Sequence, residues 1–124
     1  MSYDLAVWYP GRLLSNEEAF SQYNALCNDD NSGLISHPSI GNFYLELYKI
    51  HPEIDDVPDD KTGDFDFSPW SMEHELSERH IMLSCVWSHA DYVHDLVLRL
   101  ADKHGLVVFD PQLTKIHYPK AWNK

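Results

Sequence analysis

The chain has few cationic residues and few cysteines, and each shortage restricts the class of protein to which it can belong. Only 9 Lys and Arg residues stand against 20 Asp and Glu residues, which gives a net charge of −11 over 124 residues. Because an acidic surface repels phosphates, we expect no direct binding of nucleic acid. The two cysteines, Cys27 and Cys85, do not suggest a disulfide framework, and both fall in segments that we expect to be buried.

Long apolar runs and catalytic motifs are also missing. No stretch approaches the roughly 20 apolar residues of a membrane-spanning helix, and the first residues lack the features of a signal peptide. We therefore expect a soluble, cytoplasmic protein without a membrane partner. There is no P-loop, GxSxG or HExxH motif, so the sequence predicts no catalytic residue, no cofactor and no metal site.

What the chain has instead is a dense cluster of acidic residues. Residues 53–78 contain ten acidic side chains and one lysine, so they carry −9 of the total charge of −11. Residues 53–68 show no helical or strand period and contain prolines and glycine. We therefore predict an acidic loop there, within a single domain of residues 1–124. Phe65, Phe67 and Trp70 are interleaved with the carboxylates, and such a mixture is typical of surfaces that bind cationic proteins.

We predict that this cluster binds a protein partner. The candidate contact residues are eight carboxylates and two aromatic side chains: Asp55, Asp56, Asp59, Asp60, Asp64, Asp66, Phe67, Trp70, Glu73 and Glu75. The carboxylates would meet basic groups, and Trp70 or Phe67 would supply the desolvated contact. Two other interpretations stay open at this point: a solvated surface that maintains solubility, and a tryptophan that holds the loop onto the core.

Hydrophobic periodicity predicts the strands. Residues 3–9 and 80–87 alternate as strands do, and residues 106–109 form a short buried run. Residues 70–76 are predicted to pair with residues 80–87 across a short turn. With the helices, this order predicts an α/β domain of the α+β kind. The expected form is a two-layer sandwich with a small, mostly antiparallel sheet, and a ferredoxin-like arrangement is one version of it.

Capping signals predict three helices. Ser15 opens a capping box, and Pro38 lies in the first turn of a second helix. Residues 88–91 resemble a further capping box, with Asp91 at its last position. Gly105 is placed to end that third helix.

Eight histidines leave an enzyme open as an alternative. A histidine–carboxylate hydrolase or metal-dependent enzyme would need His74 and His80 to meet Asp64 or Asp66 in one pocket. The loop also matches part of an EF-hand register that starts at Asp64. Pro69, however, stands where the sharp turn of that motif needs glycine, so we predict no calcium site.

Three elements of the chain resemble a family of small, uncharacterised bacterial proteins. They are YDLAVW at residues 3–8, SPW at 68–70 and HGLVVFDPQ at 104–112. This resemblance spans almost the whole chain and implies kinship of fold rather than an activity.

In size, acidity and expected location, the chain is also similar to immunity proteins of bacterial polymorphic-toxin and contact-dependent growth inhibition systems. That resemblance implies a non-enzymatic protein that binds and neutralises a basic toxin domain, with a ribonuclease as the expected target. A regulatory adaptor that binds another basic protein is the further alternative.

Overall fold

Five strands form one sheet in the order β2-β3-β1-β4-β5, and all neighbouring strands are antiparallel. The computed structural model describes residues 2–122. The strands are β1 Ser2–Trp8, β2 Glu75–Leu76, β3 His80–Val86, β4 Val107–Asp110 and β5 Lys115–His117. The central strand β1 pairs along its length with β3 and through its second half with β4. The predicted strands are therefore confirmed, and β5 is an addition at the edge.

Three helices accompany the sheet: α1 Asn16–Cys27, α2 Pro38–Ile50 and α3 Ala90–His104. The predicted capping box of α1 is formed, because the Glu18 backbone N–H donates to Ser15 Oγ while the Glu18 carboxylate accepts from the Ser15 N–H. Gly105 ends α3 with φ +71°, in the left-handed region that glycine adopts at little cost. No helix among residues 2–122 has the length and apolar character that crossing a membrane requires.

The start of α3 differs from the prediction. A single-turn 3₁₀ helix, Trp87–His89, precedes α3, and His89 makes no side-chain capping bond. Trp87 therefore lies outside β3, and 50% of its surface is exposed. Asp91, which the predicted box would have used, has no hydrogen-bond or ion-pair partner among the described residues.

Helices cover both faces of the sheet. Leu5 and Val7 of β1 pack with α2 and α3, whereas Ala6 and Trp8 pack with α1. The α+β class, the three helices and the antiparallel sheet are confirmed, and α1 adds a third layer to the predicted two. The ferredoxin-like arrangement stays a prediction, although the order of elements contains its β-α-β-β-α-β pattern.

The two cysteines differ in burial. Cys85 is buried on β3, as predicted, but Cys27 is exposed, and both are free thiols. The prediction for Cys27 was wrong because it ends α1 and points away from the stripe formed by Ala19 and Leu26, which lie seven residues apart on one helix face.

The predicted hairpin is present in two pieces. Glu75 and Leu76 pair with β3, and further upstream Trp70 forms an isolated bridge to Cys85. Residues 72–74 bulge between these two pieces. The bulge carries His74 towards the acidic loop.

Trp70 holds the end of this hairpin in the core. Its side chain is 0% exposed, and its ring packs edge-on against the imidazoles of His74 at 4.5 Å and His51 at 6.5 Å. Of the two interpretations that the sequence left open for Trp70, packing into the core is confirmed. Direct contact with a partner is wrong for this residue, since none of its surface is accessible.

Trp70→Ala is therefore expected to lower the free energy of unfolding by about 3–5 kcal/mol, because it leaves a large cavity under the loop. Trp87→Ala is the matched control, since the same truncation at a half-exposed position should cost about 1 kcal/mol or less. Urea unfolding followed by circular dichroism measures both values. Equal costs for the two variants would contradict the role given to Trp70.

Candidate functional site

The acidic loop, residues 53–68, is closed at its base by hydrogen bonds. The hydroxyl of Ser68 donates to the Pro52 carbonyl at 2.9 Å, which joins the two ends of the loop. The His51 imidazole bridges the loop and α3, with Nδ1 at 2.9 Å from the Phe67 carbonyl and Nε2 at 2.7 Å from the Tyr92 hydroxyl. Because a carbonyl can only accept, Nδ1 donates to Phe67, and Nε2 shares the second hydrogen bond with the Tyr92 hydroxyl.

The predicted contact residues differ in exposure. Eight of them are exposed carboxylates: Asp55, Asp56, Asp59, Asp60, Asp64, Asp66, Glu73 and Glu75. Phe67 is partly buried, and the ammonium group of Lys61 lies 6.0 Å from the centre of its ring. The one cation of the loop therefore sits over an aromatic ring rather than against a carboxylate.

Several carboxylates organise the loop itself. One oxygen of Asp64 accepts from the backbone N–H groups of Asp66 and Phe67, at 3.1 and 3.3 Å, and so shapes the turn. The carboxylate of Asp66 contacts His89 Nε2 at 2.9 Å, which links the end of the loop to the start of α3. Asp64 thus serves as a turn-forming residue rather than as the first ligand of an EF-hand.

A second group of acids gathers where the loop begins. Both oxygens of Glu53 are used, one accepting from the Tyr44 hydroxyl at 2.5 Å and the other from the His74 backbone N–H at 2.7 Å. A hydrogen bond with Asp55 raises the pKa of Glu73 above its ordinary value, and the charges of Asp55 and Glu53 add to this effect. The structure therefore brings Asp55 and Glu73 together in a group of acids that repel one another.

The same group of acids affects the pKa of Tyr48. Tyr48 donates to Asp56 at 2.8 Å, and this bond, followed by burial and the nearby charges, raises the pKa of the Tyr48 hydroxyl. The hydroxyl of Tyr48 thus stays a donor to Asp56.

The side chains of Asp59 and Asp60 do not take part in organising the loop. They lie on the single-turn 3₁₀ helix Asp59–Lys61, and both are exposed. Among residues 2–122, neither side chain has a hydrogen-bond or ion-pair partner. Both carboxylates therefore face solvent and are accessible to a charged group of another molecule.

The histidine–carboxylate pocket that the enzyme alternative requires is not assembled. His80 contacts Glu75 at 2.7 Å, Asp66 contacts His89, and neither ring nitrogen of His74 has a partner within the described part of the chain. In that same part, no group of three or more His, Cys, Asp or Glu side chains is placed to hold a metal ion. The specific constellation that the sequence suggested thus has no geometric basis.

Exposed apolar side chains adjoin the acids and were not among the predicted contact residues. Phe65, 40% exposed, packs edge-on against His89, and Tyr92, 45% exposed, lies on the first turns of α3. Phe65 could have been chosen from the sequence because it stands between Asp64 and Asp66. Tyr92 could not, since its proximity to the loop depends on the bond to His51.

His74 is buried, at 8% exposure, without a polar partner for its ring. Burial lowers the pKa of His74 to about 4 from 6.5, although the charge of Glu53 opposes the shift. Folded His74 therefore takes up a proton less readily than unfolded His74, and folding loses stability as the pH falls from 6.5 towards 4.

His74→Phe is expected to remove about 3 kcal/mol of this loss of stability at low pH while costing little at pH 7, because no ring hydrogen bond is lost. Unfolding free energies measured by urea titration at several pH values between 7 and 4 test this. A smaller slope remains in the variant, since burial also lowers the pKa of His117. An unchanged pH profile in His74→Phe would show that other groups cause the loss.

Comparison with known proteins adds no family to these observations. No protein family model, no curated protein and no solved structure matches the chain. The resemblance carried by the YDLAVW, SPW and HGLVVFDPQ elements and the similarity to immunity proteins therefore stay predictions. What can be argued about function rests on the charge and geometry of the described residues.

Proposed function

We propose that this protein binds a cationic protein through its acidic loop and neutralises it, as the immunity protein of a basic toxin domain does. The observation that carries the proposal is the charge of the loop. Its exposed carboxylates form no ion pair with lysine or arginine among the described residues, while the base of the loop is tied to the fold. A cationic protein can therefore approach these carboxylates without displacing an ion pair.

The concentration of charge has a kinetic consequence. Residues 53–78 carry −9, and the rest of the chain together adds only −2 of the total −11. Complementary charge of this density raises association rates by about 10- to 1000-fold at low salt. The effect is lost when the screening length falls from about 10 Å at 0.1 M salt towards about 3 Å at 1 M. Association should therefore be fast and strongly dependent on salt.

The desolvated contact is assigned to Phe65 and Tyr92 in place of Trp70. Both side chains combine a large accessible apolar area with neighbouring charges, and such aromatic residues carry a large share of the binding energy in protein interfaces. Their positions at the end of the loop and on α3 let one partner touch both. Phe67 contributes less, because it is partly buried beneath Lys61.

A ribonuclease is the expected target because its chemistry is the complement of this loop. A groove that holds RNA phosphates does so with lysine and arginine, and carboxylates such as those of Asp59 and Asp60 can occupy the same positions. An adaptor for another basic protein would use the same surface. The two differ in outcome, since only an immunity protein relieves toxicity.

A pair of charge-matched variants tests the proposal on the protein encoded beside this chain's gene, which is where toxin genes of these systems stand. Asp59→Asn with Asp60→Asn removes two loop charges, and Glu17→Gln with Asp29→Asn removes two exposed charges from α1 and the turn after it. We expect the wild-type chain to relieve growth arrest by that protein. The loop variant should bind at least about 5-fold more slowly at 50 mM salt, and the control should differ by less than about 2-fold.

Stopped-flow association rates at 50 and 500 mM salt supply the measurement. The rate of the wild-type chain should fall about 10-fold or more across that range, and the rate of the loop variant should fall less. Equal rates for the two variants would overturn the role of the loop. Binding without relief of growth arrest would favour the adaptor.

A further inference from the structure

A cleft of about 420 Å³ lies between the start of α3 and the turn that follows β4. Its walls include Trp87 and Asp91 on one side and Gln112 on the other, and Tyr3 and Asp110 line it as well. This volume is within the range of sites for small ligands or single side chains, about 300–1,000 Å³. The cleft is separate from the acidic loop but adjoins it, because Asp66 of the loop bonds to His89 next to Trp87.

The aromatic wall is formed by a tryptophan that the fold does not bury. The Trp87 ring is tilted against the Tyr3 ring at 5.5 Å between centres, so it is fixed in place while half of its surface faces solvent. An indole face presented in this way attracts cations, and planar guanidinium groups stack on it.

Two carboxylates give the cleft a negative charge. Asp110 is buried and is held by the Tyr3 hydroxyl at 2.9 Å and by Gln112 Nε2 at 2.6 Å. Asp91 is exposed and has no partner among the described residues, because the capping box that would have engaged it is not formed. Burial, then Asp110 and also Asp91, raise the pKa of Tyr3, so its hydroxyl stays a donor to Asp110.

Three groups oppose these carboxylates: the N-terminus of α3, Lys115 and the His94 imidazole, which lines the cleft and lies 3.5 Å from the carboxylate of Asp95. The N-terminus of α3 acts as about half a positive charge. Lys115 lies opposite Asp110 in the β4–β5 register but is exposed, and within residues 2–122 it forms no ion pair with a carboxylate. Asp91 lines the cleft and Lys115 does not, so Asp91 acts on a bound group from a shorter distance. The cleft therefore favours a cation over an anion.

We propose that this cleft binds a guanidinium group, which stacks on Trp87 and donates hydrogen bonds to Asp91. The source of the guanidinium group is an arginine side chain of the cationic partner, and this part of the inference rests on the proposed function. Arginine fits better than lysine because its planar group both stacks on an aromatic face and donates two parallel bonds to one carboxylate. A free small molecule with a guanidinium group is the competing source.

The cleft can be tested without any partner. The probe is N-acetyl-L-arginine methylamide, and its neutral counterpart of equal size, N-acetyl-L-citrulline methylamide, is the control. We expect the arginine probe to shift the indole N–H resonance of Trp87 with a dissociation constant of about 1–10 mM, and to leave that of the buried Trp70 in place. The citrulline probe should bind at least about 5-fold more weakly. Equal binding of both probes, or shifts confined to the acidic loop, would overturn the site.

Two variants assign the contacts. Asp91→Asn should weaken binding of the arginine probe about 5-fold, whereas Asp29→Asn, the same change at an exposed position on the turn after α1, should alter it by less than about 2-fold. In Trp87→Leu, the backbone N–H resonances of Asp91 and Gln112 replace the lost indole as the readout, and they should report binding weakened at least about 5-fold in a chain whose circular dichroism is unchanged. Equal effects of the two aspartate variants would overturn the role of Asp91.

The partner complex then separates the two sources of the group. An arginine side chain is supported if Asp91→Asn raises the dissociation rate of the complex about 5-fold while Asp29→Asn does not. An unchanged complex, together with weakened probe binding, overturns the partner as the source and leaves a free guanidinium compound. Failure of the loop variants above would remove the proposed function without affecting the probe result, so the two failures are distinguishable.

Discussion

The burial of Trp70 is the constraint on which the acidic surface depends. A loop whose side chains share one sign of charge repels itself and tends to extend into solvent. Here the ring of Trp70 fills the core at one end of the loop, and His51 and Ser68 close its base with hydrogen bonds to Phe67 and Pro52. Hydrophobic burial therefore opposes electrostatic repulsion, and the carboxylates are held over a fixed base instead of being scattered along a free chain.

Holding the carboxylates close together has an electrostatic cost. The pKa of Glu73 is raised by its hydrogen bond to Asp55 and by the charges of Asp55 and Glu53, so these acids repel one another. A surface that served solubility alone could spread its carboxylates apart and avoid this repulsion. Cationic groups of a partner would relieve it, and this is the physical reason for preferring a binding surface to a solubilising one.

Much of the fold could be predicted from the sequence because its signals are local. The alternation of residues 3–9 and the capping box at Ser15 depend on neighbours within a few residues, and both are found in the structure. The sequence left open whether Trp70 is buried, and it placed the half-exposed Trp87 inside a strand, because burial depends on distant strands rather than on the acids nearby in sequence. The sequence also predicted a capping box at the start of α3. That box is not formed, because a 3₁₀ turn precedes the helix there.

The loop and the cleft have different physical roles in the proposed interaction: one governs association and the other governs dissociation. Exposed charges such as those of Asp59 and Asp60 act over about one screening length and govern how fast a partner arrives. A fixed indole and a carboxylate in a cleft act only at contact, so they govern how slowly it leaves. Since the bond between Asp66 and His89 joins the loop to the residues beside Trp87, a partner drawn in by the first surface arrives next to the second. Affinity can then be high although no single surface ion pair contributes much.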